Sequence, residues 1–361
     1  MVSVGVAARP LPYALQDIGA HAYKNPKIKT RLLMIVVTGG AGFIGSNLVA
    51  ALEERGGEEI VVCDYLGNED KWRNIAKRQI TELITPDDLL KWLTSNIASV
   101  HMVFHLGAIS STVERDVDLI IANNFRLSHD LWEICVRRDV RLIYASSAAV
   151  YGDGAAGFDD ECTLDAMDKL RPLNPYGWSK VLFDRKVAHY ADRMTRTPGQ
   201  WAGLRFFNVY GPNEYHKGNQ RSVVPQFWQQ IKETGQARLF KSQHPDYGDG
   251  GQLRDFVHVD DCVRIMLWLY DNYGISGLFN VGTGQARSFE DMANAIFSAQ
   301  GVESRIEYFD MPENVRDQYQ YFTQARMDRL RAAGYDAPFT SLEDGVRSYV
   351  QDYLATDDPY R

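Results

Sequence analysis

The stretch from residue 34 to residue 56 constrains the fold of this chain more than any other. Met34–Thr38 is a short apolar, β-branched run, which predicts a strand buried on both faces. A glycine-rich turn, GGAGFIG, follows at residues 39–45, and a helical apolar pattern then continues until Gly56. A strand, a glycine turn and a helix in this order predict one βα unit of a parallel sheet.

Further strand-like runs alternate with helical patterns over the first 210 residues. The predicted strands are Ile60–Asp64, Val100–Leu106, Leu142–Ser147 and Gly203–Val209, and the clearest helical patterns surround Leu119–Val136 and Gly177–Tyr190. This alternation predicts right-handed crossovers and a parallel sheet covered on both faces. The predicted fold class is therefore α/β, a doubly wound Rossmann sheet with a smaller, interleaved C-terminal substrate-binding lobe.

The sequence also predicts how the chain divides. Residues 1–33 contain three prolines and no clear periodicity, so we expect a disordered N-terminal extension. Residues 34–209 are predicted to form the Rossmann domain, with later contributions from about 254–282. The pattern loosens after Tyr210, and residues 210–253 and 283–361 are predicted to form the substrate-binding lobe.

Composition excludes several classes of partner. The net charge is −8, and no basic stretch is long enough to follow a phosphate backbone, so we expect no nucleic acid partner. No run of about 18 apolar residues is present, so no membrane span is expected. The four cysteines are far apart and form no CxxC pair, which predicts no disulfide framework, no metal site and a reducing cytoplasm.

The glycine-rich turn has the spacing of a dinucleotide-binding site. Gly39 permits the tight turn, Gly42 lets the backbone approach a pyrophosphate, and Gly45 allows close packing of helix on strand. The start of the helix would present unpaired N–H groups and a positive dipole end to the phosphates. We therefore predict that an NAD-type cofactor binds here.

The residues after the second strand leave the identity of the cofactor open. Asp64 ends that strand, near the offset of about 20 residues expected for the acid that binds the ribose. A carboxylate repels a 2′-phosphate and favours NAD. Lys71 lies seven residues further on and either neutralises that phosphate or is a solvated loop lysine. Both NADP and NAD remain candidates.

The sharpest chemical signal is the segment Tyr176-Gly-Trp-Ser-Lys180. At a spacing of i and i+4, Tyr176 and Lys180 share one helix face and can act together. A phenol has a pKa near 10, so we expect the ammonium and a positive nicotinamide ring to lower the pKa toward use as a base. Ser147 ends a predicted strand, where its hydroxyl could bind a substrate alcohol.

These residues together resemble the extended short-chain dehydrogenase/reductase superfamily of nucleotide-sugar enzymes. Three further segments are similar to the 6-epimerase family that acts on ADP-heptose: Phe207–Pro212 with His216–Gly218, Arg254–Phe256, and Tyr319–Gln324 with Leu330–Asp336. The resemblance covers nearly all of Met34–Leu354. It implies tightly held NADP, an ADP-heptose substrate, a role in heptose supply for the lipopolysaccharide core, and a homo-oligomer, for which it suggests five copies.

The resemblance also implies roles for individual residues. For the cofactor it adds Phe43, Ile44, Tyr65, Lys71, Leu106, Gly107, Ala108, Ser110, Asn123 and Val209 to the glycines, Asp64, Tyr176 and Lys180. For the substrate it implies Ser147, Asn208, Lys217, Asn219, Gln226, Phe240, Arg254 and Tyr319. The implied reaction oxidises C6″ to a ketone and reduces it from the other face, with Tyr176 and Lys217 as the two acid/base groups. Without the resemblance, Lys217 is better interpreted as a phosphate or hydroxyl contact in a loop than as an acid/base group.

Three other functions compete with this one. Nucleotide-sugar 4,6-dehydratases carry Thr-Asp-Glu where this chain has Ser147, Ala148 and Ala149, and two methyl groups supply neither the acid nor the base that loss of water requires. A UDP-hexose 4-epimerase shares the fold and the tyrosine. A non-catalytic NADP-binding sensor is the alternative from another class, but such proteins typically lose the tyrosine–lysine pair.

Overall fold

A computed structural model of the chain describes residues 33–193, 197–312 and 320–361. The predicted N-terminal extension lies outside the described residues except for Leu33, and Tyr319 lies outside them as well.

Seven parallel strands form the central sheet. They are β1 (Met34–Thr38), β2 (Glu59–Cys63), β3 (Glu82–Ile84), β4 (Val100–His105), β5 (Arg141–Ser147), β6 (Trp201–Phe206) and β10 (Gly277–Val281). Their spatial order is β3, β2, β1, β4, β5, β6, β10, and every pairing is parallel. The predicted doubly wound α/β fold is confirmed.

Consecutive residues of the strands serve opposite faces of this sheet. Val36 belongs to one buried apolar cluster, whereas Ile35 and Val37 belong to another. All three side chains have no solvent exposure. Because helices cover both faces, a strand in this position has to be apolar throughout, and this is the pattern that the sequence displays.

Helices pack on both faces of the sheet and in the second part of the chain. They are α1 (Phe43–Arg55), α2 (Leu89–Asn96), α3 (Val117–Ile120), α4 (Leu127–Arg138), α5 (Leu164–Met167), α6 (Pro175–Asp192), α7 (Val223–Thr234), α8 (Val259–Asp271), α9 (Phe289–Gln300), α10 (Asp328–Ala332) and α11 (Leu342–Ser348). A π-helical segment, Ile121–Arg126, joins α3 to α4. Short 3₁₀ helices occupy Asp70–Asn74, Ala148–Tyr151 and Tyr215–Gln220, and a second π-helical segment occupies Tyr349–Leu354.

The remaining strands form two small sheets over a third buried cluster. They are β7 (Asn208–Tyr210), β8 (Ala237–Phe240), β9 (Leu253–His258), β11 (Ala286–Ser288) and β12 (Ile306–Phe309). One sheet has the order β7, β9, β11, and the other pairs β8 with β12. Along the chain, β10 lies between β9 and β11, but it belongs to the central sheet and they belong to the three-stranded sheet. The two parts of the chain therefore interleave. The domain limits given above stay a prediction.

The predicted run Gly203–Val209 differs from the structure because it spans two sheets. β6 ends at Phe206, and β7 begins at Asn208 in the three-stranded sheet. Between the two strands, the N–H of Phe207 still donates to Val281 O of β10 at 3.0 Å, whereas Asn208 already pairs with Phe256 of β9. The apolar pattern continues across the break and therefore conceals it.

The order of the strands creates a crevice. β1 lies between β2 and β4, so the connections leave the sheet in opposite directions on either side of the β1–β4 boundary. In open α/β sheets, ligands bind at this switch point, outside the carboxyl ends of the strands.

The described residues also show three properties that concern membrane spans, metal binding and disulfide bonds. No helix among them is long and apolar enough to cross a membrane. Nor do they contain a group of three or more His, Cys, Asp or Glu side chains that could hold a metal ion. The four cysteines are free thiols, and Cys63, Cys135 and Cys262 are buried.

Candidate active site

The glycine-rich turn lies at the carboxyl end of β1 and is too tight for side chains. A Cβ on Gly45 would lie 2.0 Å from Gly39 O, and a Cβ on Gly39 would lie 2.6 Å from Gly107 N. Gly39 also has φ +67°, which disfavours other residues. No side chain caps the start of α1 at Gly42, so its first N–H groups are available to a ligand.

The turn forms one wall of a cavity of about 530 Å³. The opposite walls come from the carboxyl ends of β4, β5 and β6, from α6 and from the Tyr215–Gln220 segment. Predicted residues that line the cavity are Gly39, Gly42, Phe43, Ile44, Gly45, Asp64, Lys71, Leu106, Gly107, Ala108, Ser110, Ser147, Tyr176, Lys180, Val209 and Lys217. The glycine-rich turn at residues 39–45, which we call the glycine cradle, and the uncapped N-terminus of α1 fit a dinucleotide pyrophosphate.

A smaller cavity of about 150 Å³ adjoins the first. It shares Gly39, Asp64, Lys71 and Gly107 with the larger one and adds Asn123 and Tyr65, two further predicted cofactor residues. The two cavities therefore bring together every residue that was predicted to contact the cofactor.

Asp64 and Lys71 form an ion pair where the two cavities meet. Lys71 Nζ lies 2.6 Å from Asp64 Oδ1 and also donates to Tyr65 O at 2.8 Å. Asp64 Oδ2 accepts the Ala41 N–H at 3.0 Å, so both carboxylate oxygens already have protein donors. The ammonium neutralises the carboxylate that would otherwise repel a 2′-phosphate.

The end of β5 and the first turn of α6 place the predicted catalytic groups beside each other. Asn174 caps α6 by accepting the Gly177 N–H at 2.8 Å, which fixes Tyr176 in the first helical turn. Ser147 is the last residue of β5, and its hydroxyl forms a hydrogen bond with the Tyr176 phenol. Lys180, one turn along α6, donates to Ala145 O at 2.8 Å.

The electrostatics of this pair differ from the expectation. Burial raises the pKa of the Tyr176 phenol, and the hydrogen bond from Ser147 opposes this effect. Lys180 Nζ lies 6.0 Å from the centre of the Tyr176 ring and is bound to a carbonyl instead of the phenol. Burial lowers the pKa of Lys180 to about 8, although the negative charge of Asp184 acts to raise it. Within the protein alone, Lys180 does not turn Tyr176 into a phenolate.

Asp184 is a functional candidate that the sequence analysis missed. Its fully buried carboxylate accepts hydrogen bonds from Ser146 Oγ at 2.9 Å, Tyr144 Oη at 3.1 Å and Arg205 Nε at 3.0 Å. It also follows Lys180 by one helical turn. Asp184 thus anchors the catalytic helix to β5 and β6, and two signals could have revealed it: its spacing from Lys180, and a lone arginine in the apolar strand β6.

The segment Tyr215–Gln220, which we call the strap, contributes His216, Lys217 and Gln220 to the lining of the larger cavity. Lys217 Nζ lies 5.6 Å from the centre of the Phe43 ring at the start of α1. Gln220 Nε2 donates to Ser111 Oγ at 2.7 Å, and His216 Nδ1 lies 3.2 Å from Asn74 Nδ2. Ser111, His216 and Gln220 also line the cavity, although they were not predicted.

The remaining predicted substrate residues lie outside the lining of this cavity. Asn208, Phe240 and Arg254 belong to β7, β8 and β9, respectively. Asn219 is exposed on the strap, and Gln226 Nε2 on α7 donates to Arg221 O and Ser222 O at 3.2 Å. Their role in substrate binding stays a prediction, as does that of Tyr319.

The glycine cradle, the paired carboxylate beside it and the tyrosine–lysine helix facing it define an enzyme with a nicotinamide dinucleotide site. The chain belongs to the NAD dependent epimerase/dehydratase family, whose model matches residues 35–282. The resemblance drawn from the sequence motifs is thereby confirmed at the level of the family.

Several known proteins are similar to this chain over about nine tenths of its length. ADP-L-glycero-D-manno-heptose-6-epimerase of Nitratidesulfovibrio vulgaris strain DP4 is 51% identical over 91% of this chain and 100% of its own length. The solved structure of that enzyme from Helicobacter pylori superposes with a TM-score of 0.73 at 28% identity, covering 90% of this chain and 98% of the other. A Thermus thermophilus UDP-glucose 4-epimerase complex with NAD has a TM-score of 0.66 at 25% identity, covering 87% and 97%.

Proposed function

We propose that this enzyme inverts C6″ of ADP-D-glycero-D-manno-heptose, giving the L-glycero form by transient oxidation to a 6-keto sugar. One observation carries the proposal: Tyr176 and Lys217, from separate parts of the chain, face the same cavity as the glycine cradle. Inversion through a ketone needs an acid/base group for each face of the reacting carbon. The relatives named ADP-L-glycero-D-manno-heptose-6-epimerase support the choice of substrate.

Each residue has a separate task in this reaction. The bound nicotinamide dinucleotide supplies the hydride acceptor and donor. Tyr176 exchanges the proton of the C6″ hydroxyl for one epimer, and Ser147 holds that hydroxyl against the phenol. Lys217 exchanges the proton for the other epimer, because burial lowers the pKa of its ammonium and makes the neutral amine accessible. The Gln220–Ser111 hydrogen bond holds the strap over the cavity, which limits the access of water to the ketone.

The function is tested by incubating the purified protein with ADP-D-glycero-D-manno-heptose and following the C6″ proton by NMR. We expect a mixture of both C6″ epimers. UDP-glucose and UDP-galactose serve in parallel incubations, because their interconversion would identify a 4-epimerase. A 4-keto-6-deoxy product would identify a dehydratase, and a protein that binds the dinucleotide but converts none of the substrates would be a sensor.

Lys217→Met should reduce the rate of epimerisation by about 10²-fold, the scale of general acid–base catalysis by one group. The methionine keeps the apolar contact with Phe43 but cannot carry a proton. Product formation is measured by the same NMR assay. Lys241→Met is a suitable control, because Lys241 pairs with Asp310 on the surface. Unimpaired epimerisation in the Lys217 variant would remove this residue from proton transfer.

We also propose that the cofactor is NADP, held through its 2′-phosphate by Lys71. Lys71→Ala should weaken the binding of NADP relative to NAD by roughly 10- to 100-fold, as expected for the loss of one charged hydrogen bond and of the cation that neutralises Asp64. The dinucleotide released on denaturation identifies the native cofactor by mass spectrometry, and titration of the stripped protein measures the preference.

Lys77→Ala provides the matched control for that experiment. Lys77 lies in the same part of the chain, but its ammonium pairs with Asp358 at 2.7 Å and not with Asp64. We expect its preference to equal that of the unaltered protein. An unchanged preference in the Lys71 variant would show that the 2′-phosphate is recognised elsewhere.

A further inference from the structure

A buried carboxylate lies three residues before Lys217. Glu214 has no solvent exposure, and its side chain accepts two hydrogen bonds from Ser222: one from the backbone N–H and one from the hydroxyl at 2.7 Å. The Lys217 N–H donates to Glu214 O at 3.1 Å. Glu214 therefore binds Lys217 through its backbone carbonyl and Ser222, just after the strap, through its carboxylate.

These bonds close the strap into a loop. Ser222 is also the N-cap of α7, where its hydroxyl accepts the Val224 N–H at 3.3 Å. Between the two ends, Gly218 has φ +54°, and its carbonyl accepts Arg221 Nε at 2.9 Å. The carboxylate of Glu214 thus joins the start of the strap to the start of α7 and limits where Lys217 can lie.

A buried carboxylate needs compensating charge, and the surroundings offer little besides Lys217. The neighbouring phenols of Tyr215 and Tyr349 remain neutral, because burial raises the pKa of each. Burial raises the pKa of Glu214 as well, whereas the hydrogen bonds from Ser222 and the charge of Lys217 lower it.

Lys217 has a similarly short set of charged neighbours. His216 beside it stays neutral, because burial and the charges of Lys71 and Lys217 lower its pKa to about 4. Across the cavity, Asp64 is already paired with Lys71, and Lys180 and Tyr176 line the wall of α6. Burial lowers the pKa of Lys217, and Glu214 is the charge that opposes this effect.

We propose that Glu214 is a positioning residue that sets the protonation state of Lys217 and thereby its use as the second acid/base group. This inference rests on the proposed function only for the role of Lys217 in proton transfer. The effect of the Glu214 charge on the titration of Lys217 can be measured without turnover.

The test compares Glu214→Gln with Ser222→Ala in the protein purified with its bound dinucleotide. Glutamine keeps the size and can keep both bonds to Ser222, with the hydroxyl reversed, but loses the charge. Alanine at 222 removes the bond from the hydroxyl and keeps the bond from the backbone N–H. The ¹³C carboxyl shift of Glu214 shows whether the charge remains in this variant. Lysines are dimethylated with ¹³C-formaldehyde, and the resonance absent from Lys217→Met is followed through a pH titration.

We expect the Lys217 pKa to fall by about one unit in Glu214→Gln, the lower end of the effect of a close opposite charge. It should change little in Ser222→Ala. In the epimerisation assay, the limb of the pH–rate profile that Lys217→Met abolishes should move to lower pH by the same amount in Glu214→Gln. Glu214→Asp, which keeps the charge, should leave the Lys217 pKa close to that of the unaltered protein.

Several outcomes would overturn the inference. An unchanged Lys217 titration in Glu214→Gln would leave Glu214 as a structural clamp only. An equal shift in Ser222→Ala with Glu214 still ionised would assign the effect to loop geometry. A protonated Glu214 at pH 7, seen from its ¹³C carboxyl shift in the unaltered protein, would overturn it without any variant. If the protein lacks epimerase activity but the titrations behave as expected, the proposed function fails and the effect of Glu214 on the protonation of Lys217 stands.

Discussion

Tyr176→Phe should lower the rate of epimerisation by about 10³-fold, within the range for the loss of one general acid/base group. Phenylalanine fills the same space at the start of α6 but has no hydroxyl to exchange a proton with C6″ or to bond Ser147. The effect should exceed that of Lys217→Met, because the phenol acts together with the Ser147 hydroxyl, which favours its ionised form. The rate is measured by the NMR assay over a range of pH.

The content of bound dinucleotide separates loss of chemistry from loss of binding. We expect Tyr176→Phe to retain its cofactor, because the glycine cradle and the Asp64–Lys71 pair are untouched. Tyr273→Phe serves as the control, since Tyr273 is 65% exposed and outside the lining of the cavity. A Tyr176 variant that retains its cofactor and more than a tenth of the activity would show that another group exchanges this proton.

The parts of the fold that depend on local sequence could be predicted, and the prediction failed where a distant segment decides the structure. The limits of β1 match the predicted Met34–Thr38, because a buried strand followed by a glycine turn has a distinctive pattern. His105 at the end of β4 is buried, and its ring nitrogens lie 2.7 Å from the Thr38 hydroxyl and 2.8 Å from the Ser128 hydroxyl. The end of β6 could not be predicted, because its partner β10 and the partner of β7, β9, lie some fifty to seventy residues further along the chain.

The same distinction applies to the site. The glycine turn and the tyrosine–lysine pair are each contained in one short segment, so their spacing alone indicates their chemistry. The strap, in contrast, is held by Asn74 and Ser111, which are separated from their partners by 142 and 109 residues. A single sequence gives no signal for such pairs. Lys217 is therefore recognisable only through resemblance, and the residues that hold the strap are not recognisable from the sequence.

Gly45→Ala should abolish copurification of the dinucleotide, with binding weakened by at least about 10²-fold. The added methyl group would lie 2.0 Å from Gly39 O and 3.0 Å from Gly40 Cα, both of which are backbone atoms that no rotamer change can move. Either α1 tilts away from β1 or the turn opens, and each change displaces the N–H groups that face the pyrophosphate. Such overpacking typically costs about 1–3 kcal/mol of stability, so the melting temperature should fall by several degrees.

Gly248→Ala separates this effect from the general consequence of replacing a glycine. A Cβ at Gly248 would meet no atom within 4 Å, and we expect that variant to keep its dinucleotide and its melting temperature. The measurements are the absorbance ratio of the purified proteins, mass spectrometry of the released cofactor and thermal unfolding. If Gly45→Ala bound the dinucleotide normally, the close approach of α1 to the turn would not be needed for the cradle. The pyrophosphate would then have to be held by other donors of the cavity wall.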